Sequence, residues 1–397
     1  MPEHNAPAQR VYDHCKRWVD AGARVTVITG VPNFPTGVVQ APYRNRLYQR
    51  ETIDGIEVVR VWTFLAPNSG IVLRTLDFIS YAATSFFAGL FQSCDVIVAT
   101  SPQLLTAFSG AMLSTMKRRP WVFEVRDLWP DSITAVNAMR IGPLISFLRW
   151  LERRLYISAD RIVTISDPMK TAIAAKGIPA TKVSIVPNGA TTRLQPEEKG
   201  AALAESLGLT GKFVVGYVGT HGLAHDLETV LRAAAKLQAR DDIRFLLVGE
   251  GARKKALQEM AAGMGLTNLS FVGPVLSTRV AAYLALCDAL LVPLKNMPIS
   301  SGAIPSKIFD AAVMERPVLL GVPGTAAELI ERYGAGLVVE PESPGSLAEA
   351  VERLAGDAAL CQTCRAGGRA LAKDYGRDSL ADRMLETITA VVRAPRR

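Results

Sequence analysis

The sequence lacks the marks of export. Its opening, Met1-Pro-Glu-His-Asn-Ala-Pro7, has neither a basic start nor an apolar stretch, so no signal peptide is expected. Long hydrophobic runs are lacking too. The longest, Leu76–Phe91, contains Asp77 and several small or hydroxylated residues, and falls short of the ~20 apolar residues a spanning helix needs. Cysteines are few and odd in number: Cys15, Cys94, Cys287, Cys361 and Cys364. Their scatter gives no disulfide framework and fits a reducing cytosol. Cys361-Gln-Thr-Cys364 has no second pair and lies in a polar, Ala-rich helical segment, where two incidental cysteines are expected rather than zinc or redox work. No DNA- or RNA-binding signature is present either.

The chain does have size and apolar content. With 397 residues, 49% hydrophobic and 21% charged, it has room for two domains with proper cores. The net charge of +8 is uneven: residues 1–190 carry 21 Lys and Arg against 14 Asp and Glu, residues 191–397 carry 24 against 23. The basic first half calls for an anionic partner, either a phosphate-bearing acceptor or an acidic lipid surface, and no nucleic acid. The Leu76–Phe91 segment runs into Asp95 and the strand-like Val96-Ile-Val-Ala99, which suits a packed βαβ helix with Phe86, Phe87 and Phe91 partly exposed. Together with the basic half it predicts peripheral contact with a membrane.

Short apolar strands alternate with helices along the whole chain, which argues for parallel sheets covered on both faces. Strands are expected near 24–29, 56–61, 96–99, 121–125, 161–165 and 183–186. The polar, irregular stretch 187–211 reads as a hinge region. The pattern restarts at Phe213-Val-Val-Gly-Tyr-Val218. This predicts an N-terminal Rossmann-like domain over 1–190, a second over 191–375, and a C-terminal helix over 376–397 crossing back to the first. The fold class is α/β, with two doubly wound parallel-sheet domains and a cleft between them as the expected site. A doubly wound domain normally opens with a strand, whereas this chain starts inside the following loop; a shortened or mis-started N-terminus is expected.

One segment carries most of the chemistry. Ser300-Ser-Gly302 leads into Ile304-Pro-Ser-Lys-Ile-Phe-Asp310. Pro305 suits the first turn of a helix, and a helix start presents unpaired N–H groups and a positive dipole end to a phosphate. Lys307 adds a mobile charge. Asp310, three residues on and on the same face, suits the hydroxyls of a sugar.

Three further segments accompany it: Phe123-Glu-Val-Arg-Asp-Leu-Trp-Pro-Asp131, Val186-Pro-Asn-Gly189 and Tyr217-Val-Gly-Thr-His-Gly-Leu-Ala-His225. In this order they resemble glycosyltransferase family 4, specifically its WbuB-like branch, from about residue 8 to the end. The resemblance implies the GT-B fold and sugar transfer from a nucleotide donor with retention of anomeric configuration, without a metal or other cofactor. It implies a polyprenyl-phosphate-linked or saccharide acceptor in surface-polysaccharide synthesis. UDP is the nucleotide it favours. With the cysteine usage and the basic first half, the expected location is cytoplasmic, peripheral on the inner face of the plasma membrane.

Family roles transfer residue by residue. Gly219 opens a loop that allows close approach to a phosphate. Where relatives carry Arg and Lys, this chain has Thr220 and His225, leaving His221, His225 and Lys307 as the diphosphate candidates, with backbone groups of the 301–306 loop including Ser306. Of the family's two acids eight positions apart, Asp310 matches the ribose-binding second. Gly302 stands in place of the first, so the N–H groups of Gly302 and Ala303 are expected to take over its contacts. Gly249 and Glu250 end a strand in the way that places a base and ribose near the backbone, with a plain turn after a core strand as the equal alternative for Glu250, and Val275 flanks the loop that holds the base.

Two alternatives stand for Arg126-Asp127: Arg126 on a leaving-group or acceptor phosphate with Asp127 orienting the acceptor hydroxyl, or a buried network with Glu124 that holds the loop. Catalytic duty is therefore assigned to Arg126, Asp127 and Lys307. Two rival functions remain, a UDP-N-acetylglucosamine 2-epimerase-like enzyme and a non-catalytic sugar-nucleotide-binding subunit.

Overall fold

The computed structural model describes residues 6–33, 37–65, 71–131, 142–191, 194–296, 302 and 304–393. The chain forms two units, one of Met1–Asn188 with Arg377–Arg397, the other of Gly189–Gly376.

In the first unit, β1 (Thr26–Thr29), β2 (Tyr48–Ile53) and β3 (Ile56–Val61) make a sheet in the order β1-β3-β2. β1 and β3 run parallel, and β2 returns antiparallel on β3. The hairpin turns at Asp54-Gly55, both with positive φ, which is the turn chemistry that matches strand twist. β2 was not expected from the sequence. Its residues alternate exposed and half-buried, as at a sheet edge, so the apolar signal of a buried strand is missing. A second sheet, β4 (Ile97–Thr100), β5 (Trp121–Val125), β6 (Arg161–Thr164) and β7 (Val183–Ile185), is parallel and in chain order.

The helix Ala6–Asp20 precedes the first strand. The last helix, Arg377–Arg393, packs on it: Leu380, Ala381, Met384, Ile388 and Val391 share a core cluster with Cys15 and Trp18. Trp18 Nε1 donates to the Ala381 carbonyl at 2.8 Å, and Arg377 pairs with Asp13 at 2.6 Å, both buried.

The second unit holds β8 (Phe213–Val218), β9 (Ile243–Val248), β10 (Leu269–Val272), β11 (Ala289–Pro293), β12 (Val318–Gly321) and β13 (Gly336–Val338). All pairings are parallel, in the order β10-β9-β8-β11-β12-β13. Counted from β8 this is 3-2-1-4-5-6, the doubly wound order. Side chains alternate between two cores: Val214, Leu246 and Val318 face one, Val215, Phe245 and Leu319 the other. The sequence read as hinge includes a short helix, Ala201–Ser206, packed through Ala204.

Candidate functional site

Strand order reverses between β8 and β11, and ligands in such sheets bind beyond the C-terminal ends of the strands at that point. Gly219 stands there, at the end of β8, with φ +148°. Its N–H donates to the Val248 carbonyl at 2.9 Å. The loop after β9 lies flush against it: a Cβ on Gly249 (φ +143°) would come within 1.9 Å of the Gly219 carbonyl oxygen. Two glycines thus bring two loops into backbone contact where any side chain would separate them.

The helix after β11 supplies the charge. Its Lys307 ammonium rests on Gly219, where a Cβ would lie 2.4 Å from Nζ, and 5.1 Å from the centre of the Tyr217 ring. The Tyr217 hydroxyl lies on the same side, 3.8 Å from where that Cβ would be, and donates to the Thr220 carbonyl at 2.7 Å. Burial lowers the Lys307 pKa, with Asp310 one turn on working in the opposite sense. Phe309 and Ile308 are fully buried and pin this helix to the core.

The helix begins later than the sequence suggests. It runs Lys307–Val313 with Ser306 as its N-cap, and Pro305 lies outside it. The N–H groups of Ile308, Phe309 and Asp310 are engaged at 3.0–3.2 Å by the carbonyls of Pro305 and Ser306. The expected row of free donors is therefore shortened to the N–H groups of Ser306 and Lys307, and the lysine side chain carries more of any phosphate contact. Gly302 lies in the preceding loop, half-buried; Ala303 falls outside the described residues.

The histidines stand close by without charge. His225 sits over Gly222, and its pKa is pushed down to about 4 by burial and then by Lys307. His221 is fully buried between Tyr217 and Phe271, at 5.9 and 6.2 Å, and neither ring nitrogen makes a hydrogen bond of ordinary geometry. Burial lowers its pKa as well. Near neutral pH the positive charge of this group is that of Lys307.

At the end of β9 the Glu250 carboxylate accepts the Gly251 N–H at 3.2 Å, which lowers its pKa. Lys254, which the sequence reading passed over, ties this loop together. Its Nζ donates to the carbonyls of Gly249 (2.8 Å) and Val272 (3.2 Å) and meets Glu250 at 3.3 Å. Its place four residues after Glu250, on a helix following the Gly249–Gly251 turn, was the available signal. Val275 is half-buried against the core just past β10.

Arg126 and Asp127 follow β5 in the first unit. Their N–H groups donate to the Ser101 hydroxyl at 2.8 and 3.3 Å. Glu124 does not pair with Arg126. It is bonded at 3.0 Å by Arg10, a buried residue of the first helix that also donates to the carbonyls of Val186 and Pro187. Burial would raise the Glu124 pKa, but Arg10 and then Arg126 hold it below the usual range. Arg126 keeps a buried Nε without a hydrogen bond, and burial lowers its pKa. Beside it His14 is driven to a pKa of about 3 by burial and by Arg10. The buried network of this region is therefore Arg10–Glu124, with Arg126 at its rim. Among the described residues no group of three His, Cys, Asp or Glu side chains is placed to hold a metal.

Comparison with known proteins supplies a frame. Residues 5–189 match the family model described as glycosyl transferase 4-like domain, and residues 212–357 that described as glycosyl transferases group 1. The putative colanic acid biosynthesis glycosyl transferase WcaI of Escherichia coli K12 is 28% identical over 360 residues, 85% of each chain. Anabaena HepE, solved with UDP and glucose, superposes with a TM-score of 0.71 at 19% identity over 98% of this chain and 96% of its own. WaaG, a glycosyltransferase involved in lipopolysaccharide biosynthesis, gives 0.66 at 15% identity over 98% and 97%.

Proposed function

From a chain that is a GT-B glycosyltransferase, with a 4-like domain followed by a group 1 domain, we infer a WbuB-like enzyme that transfers a hexosyl or N-acetylhexosaminyl group from a UDP-sugar. The acceptor is a polyprenyl-phosphate-linked or saccharide chain in bacterial surface-polysaccharide synthesis. WcaI, named for colanic acid biosynthesis, supports the pathway class; HepE, solved with UDP, supports the nucleotide.

The observation that carries the reading is Lys307 seated on Gly219 at the switch point of the second sheet, with Asp310 one turn along. A diphosphate leaving group placed there meets a partly desolvated ammonium, the N–H groups of Ser306 and Lys307, and a side-chain-free backbone at Gly219. These stabilise charge as it develops. Asp310 takes ribose hydroxyls, Gly249 and Glu250 flank the base, and Gly302 lies toward the sugar. Transfer proceeds with retention and without a metal. The acceptor hydroxyl attacks the anomeric carbon from the face that the diphosphate leaves, the anomeric C–O bond breaks, and the hydroxyl proton passes to a leaving-group oxygen. Arg126, a cation whose guanidinium is not committed to Glu124, faces the acceptor's phosphate, and Asp127 orients the attacking hydroxyl. The protein works at the inner membrane surface by peripheral contact.

A thermal-shift series with UDP, UDP-glucose and UDP-N-acetylglucosamine tests the donor seat. The wild type gains stability and Asp310→Ala loses that gain. An equal gain in the variant removes Asp310 from the site. Product analysis by NMR decides the stereochemistry; an inverted anomer overturns the retaining step.

A further inference from the structure

We propose that three neighbouring helices of the first unit, Ile71–Leu90, Leu104–Lys117 and Pro143–Ser158, form one docking face for an anionic lipid bilayer. This rests on the membrane contact argued above and gives it a location. Each helix buries one stripe and exposes a second that is also apolar. On the first helix Val72, Leu76, Ile79 and Phe87 point to solvent at helical spacing, and Phe91 follows just beyond its end. On the second they are Phe108, Met112 and Met116, and on the third Leu144, Phe147, Trp150 and Ile157. The exposures are large: 82% for Phe91, 72% for Val72 and 54% for Trp150.

The three stripes belong to one layer. The first two helices touch closely, for a Cβ on Gly89 would lie 2.5 Å from Leu113 and the Ser109 hydroxyl donates to the Ala82 carbonyl at 2.7 Å. The second and third share a core, in which Leu104 and Ala107 pack with Leu151 and Leu155. Soluble chains rarely leave so much contiguous apolar surface without a partner.

Charge says which partner. The three helices carry Arg74, Lys117, Arg149, Arg153 and Arg154 against Asp77 and Glu152. Glu152 is buried and bonded to Lys176, and Arg118 and Arg119 stand exposed just past the second helix. Arg154 lies over the Trp150 ring at 5.5 Å and Arg74 over Phe78 at 5.6 Å, joining a cation to an aromatic as membrane interfaces favour. Apolar stripes rimmed by arginine suit a surface of acyl chains under anionic headgroups. A second copy meeting this face by a two-fold axis would set arginines against arginines, which disfavours self-association. No described helix is long and apolar enough to cross a membrane, so the helices lie on the bilayer.

The test is co-sedimentation of the full chain with vesicles of phosphatidylglycerol and phosphatidylcholine, or of phosphatidylcholine alone. The wild type is expected to pellet with the anionic vesicles at low salt, weakly with the neutral ones, and less as salt rises. L76Q/F147Q/W150Q and, separately, R118E/R119E/R154E should each lower partition roughly tenfold or more. Wild type remaining in the supernatant, or either variant partitioning like wild type, overturns the proposal. So does a wild-type dimer by light scattering that the first variant converts to monomer, for that assigns the face to a second copy. The UDP-induced thermal shift is measured on the same samples. Its retention while partition fails separates loss of this proposal from failure of the glycosyltransferase reading.

Discussion

A lysine ammonium packed onto a glycine backbone and a tyrosine ring has lost much of its hydration before any ligand arrives. Lys307 is held this way, so an arriving diphosphate meets a charge that has little water left to give up. Lys307→Met is expected to lower kcat about 10²–10³-fold, the usual loss for one preorganised donor to a developing anion, with a smaller rise in donor KM. Lys307→Arg should not restore it, since even a Cβ on Gly219 would come within 2.4 Å of Nζ. Because burial lowers the Lys307 pKa, activity falls on the alkaline side below the ordinary lysine value of about 10.4. The effect on stability has the opposite direction. Between the folded and unfolded pKa the unfolded chain holds more of this proton, so the cost of Lys307 shrinks as pH rises. A kcat/KM profile, which reports the free enzyme, with no alkaline limb below the ordinary lysine value would remove Lys307 from the mechanism.

His14 gives a second residue-scale expectation. Its folded pKa of about 3 against 6.5 unfolded means the unfolded chain binds the extra proton below pH 6.5. Stability from this residue is complete above 6.5 and is lost as pH falls toward 3. The loss is roughly 2 kcal/mol between pH 6.5 and 5. All five tryptophans, at 18, 62, 121, 129 and 150, lie in the first unit, so tryptophan fluorescence in urea reports that unit alone. His14→Gln should flatten its acid limb by about that amount; an unchanged slope refutes the assignment.

At the scale of elements, Arg10 joins three of them. It links the first helix to β5 through Glu124 and to the end of β7 through the carbonyls of Val186 and Pro187. Arg10→Met leaves a buried carboxylate without its partner and is expected to cost about 3–5 kcal/mol. Adding Glu124→Gln should recover part of the loss, since the charge is removed with its partner. The cost should also shrink at low pH, where Glu124 can take a proton. Equal urea midpoints for wild type and Arg10→Met would show that the helix is held otherwise.

Arg10 also marks what a sequence can and cannot display. The parallel strands and the helix that starts near Lys307 were legible, because apolar runs and turn residues are local signals; the helix Thr325–Tyr333 between the last two strands was not read. That Lys307 reaches Gly219 was not, since 88 residues separate them and only the β8–β11 pairing closes the gap. Arg10 and Glu124 are 114 residues apart, and an arginine in a polar helix reads as surface. Lys254 had a local signal, four residues after Glu250, but stood among neighbouring charges. β2 escaped because edge strands carry no buried stripe, and the start of the 307 helix shifted because Pro305 was used as a capping carbonyl rather than a first-turn residue.

At the scale of the molecule, the second unit is an insertion closed at its neck. The Ala190 N–H donates to the Tyr375 carbonyl at 2.7 Å, so the chain enters and leaves this unit side by side. Every described candidate for the donor, from Gly219 to Asp310, lies within it, whereas Arg126 and Asp127 lie in the other. Residues 189–376 expressed alone should therefore fold and bind UDP with a Kd within about threefold of the intact chain, and should transfer no sugar.

The converse truncation, ending at Gly376, removes Leu380, Met384, Ile388 and Val391 from the cluster that covers Cys15 and Trp18, together with the buried Arg377–Asp13 pair. At about 1.5–3 kcal/mol for each large apolar side chain, the loss is on the order of 6–12 kcal/mol, comparable with the whole stability of a domain. The tryptophan transition should vanish while UDP still raises the melting temperature of the remaining fold. A truncated chain whose tryptophan midpoint stays at the wild-type urea concentration would mean that the last helix is not part of the first unit's core. Loss of UDP binding by residues 189–376 would mean that the donor seat needs residues beyond this insertion.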